Sequence, residues 1–334
     1  MATMLVTGGG GFLGSAVARL LLERKCDVRS FSRGSYPALE ALGVECHQGD
    51  IADAAAVKRA ASGCDTVFHV AAKAGVWGPY EEYYEANVRG TENVLAACRD
   101  HGIRRLVYTS SPSVVHGGGD IEGGDESLPY PDHFEAPYPE TKAMAEQMVL
   151  AANGGDLATV SLRPHLIWGP DDNHLVPRIV QRGRSGRLRL VGDGRSKVDS
   201  VYIDNAAQAH LDAFDHLEPD AACAGRAYFI TNGEPMAIGD LINGILAAAG
   251  IPPVTRTVPV GVAVAAGRFL ETAHRLVVPA REPQMTAFLA RQLATAHWFD
   301  ISAARRDLGY QPKVSIADGL VRLRRWFDEQ KNSS

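Results

Sequence analysis

Cysteine is scarce in this 334-residue chain: Cys26, Cys46, Cys64, Cys98 and Cys223 are odd in number, scattered, and without CxxC spacing. That pattern excludes a disulfide framework and a zinc site and reads as buried apolar thiols in a reducing compartment. Long hydrophobic runs are missing too; none reaches the roughly 18–20 residues needed to cross a bilayer, so no transmembrane segment is expected. No basic segment precedes the apolar N-terminal stretch, which glycines interrupt, so no secretory leader is expected. There is no basic run of the kind that tracks a nucleic-acid backbone, and the formal net charge is −5. Internal repeats, low-complexity linkers and metal-ligand clusters are also lacking. These absences leave a cytoplasmic globular protein that holds neither metal nor nucleic acid.

What is present begins five residues in. Met4 to Val6 reads as a strand, Gly8-Gly9-Gly10-Gly11 follows, and Phe12 to Arg24 reads as a helix with Phe12, Leu13, Val17, Leu20 and Leu21 at helical spacing. A second strand, Val28 to Ser32, comes next. Glycines between a strand and a helix let backbone approach a pyrophosphate, which the helix N-terminus then attracts with free N–H groups and a partial positive charge. The motif implies a nicotinamide dinucleotide. An NAD site needs an acidic residue at the end of the second strand for the ribose 2′-OH. Ser32 and Arg33 stand there instead, and Asp27 lies too early. A hydroxyl and a guanidinium suit a 2′-phosphate, so NADP(H) is the expected cofactor.

Further strands are predicted at Val44–His47, Thr66–Val70, Arg105–Thr109 and Thr159–Leu162, with helices at Asp53–Ala61, Tyr83–His101 and Pro139–Ala152. Alternating β and α implies an α/β fold: a Rossmann-type, doubly wound parallel sheet with a smaller C-terminal substrate lobe. The expected division is 1–166 for the dinucleotide-binding domain, with a return strand near 227–231, and 167–334 mainly for the lobe. Ligands bind beyond the carboxyl ends of parallel strands. Asp50 and Ile51 follow the third strand, where Asp50 can accept from the adenine amine or serve as a turn residue. Ala71, Ala72 and Lys73 follow the fourth, and Pro164 the sixth.

Tyr138-Pro139-Glu140-Thr141-Lys142 carries the chemistry. Pro139 is expected at the first helical position, which puts Tyr138 at the helix mouth and Lys142 one turn along the same face. A phenol with a pKa near 10 is a poor base at neutral pH, and a nearby ammonium is expected to lower it. A strand ending in Thr109-Ser110-Ser111 supplies hydroxyls.

Gly8, Gly11 and Gly14, spaced as TGxxGxxG with Phe12-Leu13 inside, resemble the extended branch of the short-chain dehydrogenase/reductase family. The resemblance implies that Gly11, Phe12 and Leu13 surround the pyrophosphate and that Asp50 and Ile51 meet the adenine. Its YTSS pattern implies that Ser111, rather than Ser110, bonds the substrate carbonyl beside Tyr138 and Lys142. Arg163-Pro164 with Gly169-Pro170 is similar to the family's turn beside the nicotinamide.

Within that family the chain resembles the 3β-hydroxysteroid dehydrogenase group. It is closer still to the 2-alkyl-3-oxoalkanoate reductases of bacterial long-chain olefin biosynthesis, through Ala71–Gly75 with Trp77-Gly78, Ser111–Val114, Leu190–Gly194 and Tyr202–Ala207. This implies NADPH-dependent reduction of a long-chain β-keto acid to the β-hydroxy acid, in a homodimer associated with other enzymes of its pathway. Three rival readings share parts of the pattern. They are a steroid dehydrogenase, a nucleotide-sugar epimerase or dehydratase, and a nucleotide-binding sensor without turnover. The missing acid at position 32 counts against an NAD-retaining epimerase, and the intact Ser–Tyr–Lys set counts against a sensor.

Little matches between Val254 and Met285. There Val262, Ala266, Phe269, Leu270, Ala273, Leu276 and Val277 share a helical face, opposite Arg268, Glu271 and Arg275. The expected reading is a lobe helix packed on the core by that face. A lid over an alkyl chain, with Phe269 in its wall, and a weak membrane-surface contact are the alternatives. Trp77, Trp168, His116 and His165 read as packing or surface residues.

Overall fold

The computed structural model describes residues 2–277 and 283–332, without the side chains of Arg275 and Val277. Its centre is a seven-stranded sheet. The first five strands are β1 (Thr3–Thr7), β2 (Asp27–Ser32), β3 (Glu45–Gln48), β4 (Thr66–His69) and β5 (Arg105–Thr109). With Ala158–Pro164 and Arg226–Ile230 they run in the order 226–230, 158–164, β5, β4, β1, β2, β3, and every pair is parallel. The sheet is the expected doubly wound one, and the late strand closes one edge.

Alternation along each strand explains the two layers. In β1, Met4 and Val6 face a core with Leu13, Val17 and Leu21 of helix α1 (Phe12–Glu23) and with Ala206, Ala209 and Ala213. Leu5, between them, joins a second core on the opposite face with Val57, Ala60, Val94, Leu95 and Val149. Residues 203–216 form a helix against α1. This stretch of the C-terminal half therefore covers the sheet. Conversely, Ile121–Gly124 leaves the first half to pair with His297–Phe299 in a separate small sheet. The two halves of the chain are interleaved in space.

Three local departures from expectation have physical causes. The helix at Tyr138 begins at Pro137, with Ala136 as its cap, so Pro137 and not Pro139 takes the first position. Both prolines are tolerated because first-turn N–H groups have no intrahelical partner. The predicted Tyr83–His101 helix is divided: Tyr80–Tyr83, a π-helical turn at Tyr84–Arg89, then Gly90–His101. The π turn brings Asn87 inward, where it is 2% exposed. Finally, the helix at Val260–Val277 does not bury the predicted stripe: Val262, Phe269 and Leu276 are 57%, 72% and 81% exposed. The face packed on the lobe is that of Ala263 and Gly267, and a Cβ on Gly267 would lie 2.6 Å from the Ala287 nitrogen. Small residues allow the closer backbone approach, so they took the inner side. Val277 and Arg275 of that predicted pattern lie outside the described side chains.

Candidate active site

A cleft of about 840 Å³ opens at the carboxyl ends of the strands. Gly8, Gly11, Phe12, Leu13, Gly14, Ser32, Arg33, Asp50, Ile51, Ala71, Ala72, Lys73, Ser111, Tyr138, Lys142 and Pro164 all line it. Every residue chosen from sequence thus reaches one continuous cavity.

The glycine turn is shaped for an anion to approach backbone. Gly8 has φ +71°, and a Cβ there would meet the Ala71 backbone at 2.9 Å. A Cβ on Gly14 would lie 2.2 Å from the Gly8 carbonyl oxygen, so α1 can start this close to β1 only with glycine. Gly11 caps α1 without a side-chain bond, which leaves the helix mouth open to a ligand. A dinucleotide pyrophosphate fits this cradle. At the end of β2, Ser32 Oγ accepts from Gly10 N at 3.2 Å and keeps its own hydrogen to donate. Arg33 is exposed beside it, its carbonyl held by Gln48 Nε2 at 2.8 Å. Asp50 makes the turn bond of the plainer reading, its Oδ1 accepting from Ala52 N at 2.9 Å. Ile51 packs on Gly90, where a Cβ would lie 2.7 Å from it.

Lys142 is 1% exposed, and its Nζ donates to the Thr109 carbonyl at 2.6 Å, 4.1 Å from the centroid of the Tyr108 ring. Burial lowers its pKa to about 7, against a smaller upward pull from Glu146. Desolvation raises the Tyr138 phenol, and a hydrogen bond from Ser111 only partly offsets this. The expected lowering of the tyrosine by the lysine is therefore not the dominant effect here. Ser111 Oγ accepts from Ser113 N at 3.2 Å and Ser113 Oγ at 2.9 Å, so its hydrogen is left to point elsewhere.

Sequence reasoning missed the residues behind this front row. Asn87 Oδ1 accepts from Lys73 N at 2.8 Å, and its Nδ2 donates to Lys73 O at 3.1 Å and Thr141 Oγ1 at 3.0 Å. It ties the loop after β4 to the helix that carries Tyr138 and Lys142. His69, 1% exposed, bridges Thr7 Oγ1 at 2.7 Å and Thr91 Oγ1 at 3.0 Å, and burial lowers its pKa to about 3, so it is neutral. Burial alone would raise the Glu146 carboxyl, one turn beyond Lys142. Arg163 Nη2 at 2.7 Å outweighs that and holds it below the ordinary value. His69 interrupts the apolar run Val67–Ala72, and Asn87 looks like one more polar residue of a polar helix, so neither stands out locally. Of the four aromatic and imidazole residues read as packing, Trp168 is fully buried on Ser200 Oγ and His165 Nδ1 meets Asp199 at 2.5 Å.

Comparison with known proteins places this geometry. The chain is 56% identical over 323 residues to a Stenotrophomonas maltophilia protein named 2-alkyl-3-oxoalkanoate reductase, covering 96% of this chain and 98% of the relative. A Shewanella oneidensis protein of the same name is 51% identical over 327 residues, 96% of this chain and 84% of the relative. A Mycobacterium tuberculosis 3 beta-hydroxysteroid dehydrogenase/Delta 5→4-isomerase is 37% identical over 357 residues, 100% and 94%. Among solved structures, gox2253 superposes with a TM-score of 0.78 at 27% identity, covering 99% of both chains. The UDP-glucose 4-epimerase of Bifidobacterium longum, solved with NAD+ and UDP, gives 0.76 at 23%, covering all of both chains, and shows a shared fold. A profile of the 3-beta hydroxysteroid dehydrogenase/isomerase family matches residues 5–260. With a glycine cradle, a Ser–Tyr–Lys front and relatives over its whole length, the chain belongs to the 3-beta hydroxysteroid dehydrogenase/isomerase family of nicotinamide-dependent oxidoreductases.

Proposed function

We propose that this enzyme reduces the ketone of a long-chain 2-alkyl-3-oxoalkanoate to the 2-alkyl-3-hydroxyalkanoate with NADPH. The observation that carries the reading is the 56% identity, nearly end to end, with a protein named for that activity. When bound, the dinucleotide supplies the hydride to the carbonyl carbon. Gly8, Gly11, Phe12, Leu13 and Gly14 would hold its pyrophosphate, Ser32 and Arg33 its 2′-phosphate, and Asp50 and Ile51 its adenine. Ala71, Ala72, Lys73, Pro164, Tyr138 and Lys142, which line the same cleft, would hold its nicotinamide half.

The chain's own residues then handle the proton. Tyr138, kept in its phenol form by burial, donates its hydrogen to the ketone oxygen. Ser111 donates a hydrogen bond to the same oxygen, and Lys142 in its protonated form, populated below about pH 7, stabilises the phenolate left behind. Residues 1–166 with the 226–230 strand serve as the dinucleotide half and 167–334 mainly as the substrate lobe. The enzyme works in the cytoplasm as a homodimer associated with other enzymes of the pathway.

The 37% relative supports a second reading, oxidation of a 3β-hydroxysteroid. NADPH oxidation with a series of 2-alkyl-3-oxo acids beside a 3-ketosteroid separates the two. Burial at about 0.8 kcal/mol per methylene predicts a roughly fourfold rise in kcat/KM for each, until the pocket is full. A steroid turned over faster than every acid would transfer the enzyme to the second reading. A flat series without steroid activity would leave only a general ketone reductase.

A further inference from the structure

None of Val262, Phe269 or Leu276 lines the cleft, which removes the lid reading and the idea of Phe269 as a wall residue. Substrate recognition therefore falls to the side chains of the cleft itself. A 3-oxo acid carries its charge close to the reacting centre: two C–C bonds, about 2.5 Å, separate the carboxyl carbon from the ketone carbon. With Tyr138 and Ser111 at the ketone oxygen, a cation for that carboxylate has to reach a point beside them. Among the described residues, three lysine or arginine side chains line the cleft: Arg33, Lys73 and Lys142. Arg33 follows β2, which lies three strands from β5, the strand that leads to Ser111. At the usual strand spacing that is roughly 14 Å. Lys142 Nζ is committed to the Thr109 carbonyl. The mouth of the Leu175–Arg184 helix, which also opens on the cleft, is filled by the chain's own carboxylate: Asp172 accepts from His174 N and Val176 N at 2.7 Å and from Leu175 N at 3.1 Å. Lys73 remains, and it follows β4, the immediate neighbour of β5.

The setting of Lys73 leaves its side chain for a ligand. Asn87 engages both of its backbone groups and also donates to Thr141 Oγ1, three residues beyond Tyr138. The Tyr80 hydroxyl donates to Glu140 Oε1 at 3.2 Å, a second tie between this loop and the Tyr138 helix. The Lys73 ammonium lies 5.1 Å from the centroid of the Tyr83 ring, which is fully buried and whose hydroxyl donates to the Trp77 carbonyl at 2.9 Å. Its ionic partner is Glu82 Oε2 at 2.5 Å, with the two side chains 29% and 56% exposed. An ion pair this open to water is weak, so another carboxylate can take the place of Glu82. The same wall carries Glu81 and Glu85, both exposed and lining the cleft. Without Lys73, an anionic substrate would meet like charge there.

We propose, on the strength of the acid-reductase reading above, that Lys73 selects an acid substrate: its ammonium leaves Glu82 and pairs with the substrate carboxylate, which sets the ketone beside Tyr138 and Ser111. Glu82 is the internal competitor for that position. Lys73 is thus a specificity-determining residue, and a neutral ester of the same carbon skeleton gains nothing from it.

The test measures NADP+ reduction by the full chain with a 2-alkyl-3-hydroxy acid and with its methyl ester; the hydroxy acid is used because a free 3-oxo acid loses CO2. The readout is the acid-to-ester ratio of kcat/KM, in which any change of dinucleotide binding cancels. Wild type is expected to prefer the acid, and less so at high salt, as screening requires. Lys73→Met should lower the ratio about tenfold, the low end for a charge-assisted bond because the ammonium is partly exposed. Lys73→Arg should retain most of the preference. Glu82→Gln removes the competitor and should raise the ratio about two- to fivefold; its exposed site keeps the test open should Lys73→Met fail to fold. His174→Gln, at an exposed imidazole of the lining, should leave the ratio unchanged. A wild type without acid preference would overturn the proposal. So would a wild-type ratio in Lys73→Met, whatever that variant does to the KM for NADP+, a lowered or unchanged ratio in Glu82→Gln, or a loss found in His174→Gln instead. In each of these cases continued turnover of the acid leaves the acid-reductase reading standing. An acid left untouched while a 3β-hydroxysteroid is oxidised would overturn both.

Discussion

Replacing Arg33 with alanine separates the two dinucleotides most sharply. Arg33 follows β2, exposed, next to a Ser32 hydroxyl that accepts from Gly10 N and retains a hydrogen to donate. A charge-assisted hydrogen bond contributes about 1.5–3 kcal/mol, or roughly ten- to hundredfold in binding. Exposure places this guanidinium at the lower end, because water and salt screen it. The expected result is about a tenfold fall in kcat/KM for NADPH and little change for NADH, which lacks the 2′-phosphate. The effect should shrink as ionic strength rises, since the Debye length falls from about 10 Å at 0.1 M to about 3 Å at 1 M. Steady-state kinetics with both cofactors, at low and high salt, makes the measurement. Equal losses with NADPH and NADH would refute the assignment of Arg33 to the phosphate.

Three further outcomes follow from particular contacts. Tyr138→Phe keeps the ring and removes the proton, so turnover should fall by about 10²–10⁴ with dinucleotide binding retained; near-normal turnover would mean another acid serves. Gly14→Ala places a Cβ 2.2 Å from the Gly8 carbonyl oxygen, so cofactor fluorescence titration should show binding lost while the chain still unfolds cooperatively. Lys142 has a folded pKa of about 7, below its unfolded value, so between the two the unfolded chain binds more protons. Cofactor-free stability should therefore rise with pH from about 7 toward the ordinary lysine range, and a Lys142→Met variant should lose that slope in pH-dependent denaturant titrations.

Local order made half of this site legible. Strand, glycine turn and helix follow one another within Thr3–Glu23, so the glycine cradle is a property of contiguous residues. Tyr138 and Lys142 share a helix face for the same reason, and a two-residue error over which proline leads that helix did not move either. Asn87 was illegible because its partners, Lys73 and Thr141, are distant in sequence, and because a π turn replaced the regular helix that the pattern implied. Lys142 offered no sign of its depressed pKa, which arises from burial under β5 rather than from its neighbours in the chain.

By itself, then, the sequence determined the parallel sheet, its strand-end cleft and the residues that line it, because backbone periodicity and glycine conformation act over a few residues. Tertiary structure decided the setting of those groups: which buried amide braces the loop after β4, and how far desolvation moves Lys142 and Tyr138. It also decided the direction of the Val260–Val277 helix. Helical spacing groups Val262, Phe269 and Leu276 on one side, but only the close backbone approach at Gly267 selects the opposite side for packing and leaves the apolar one in water.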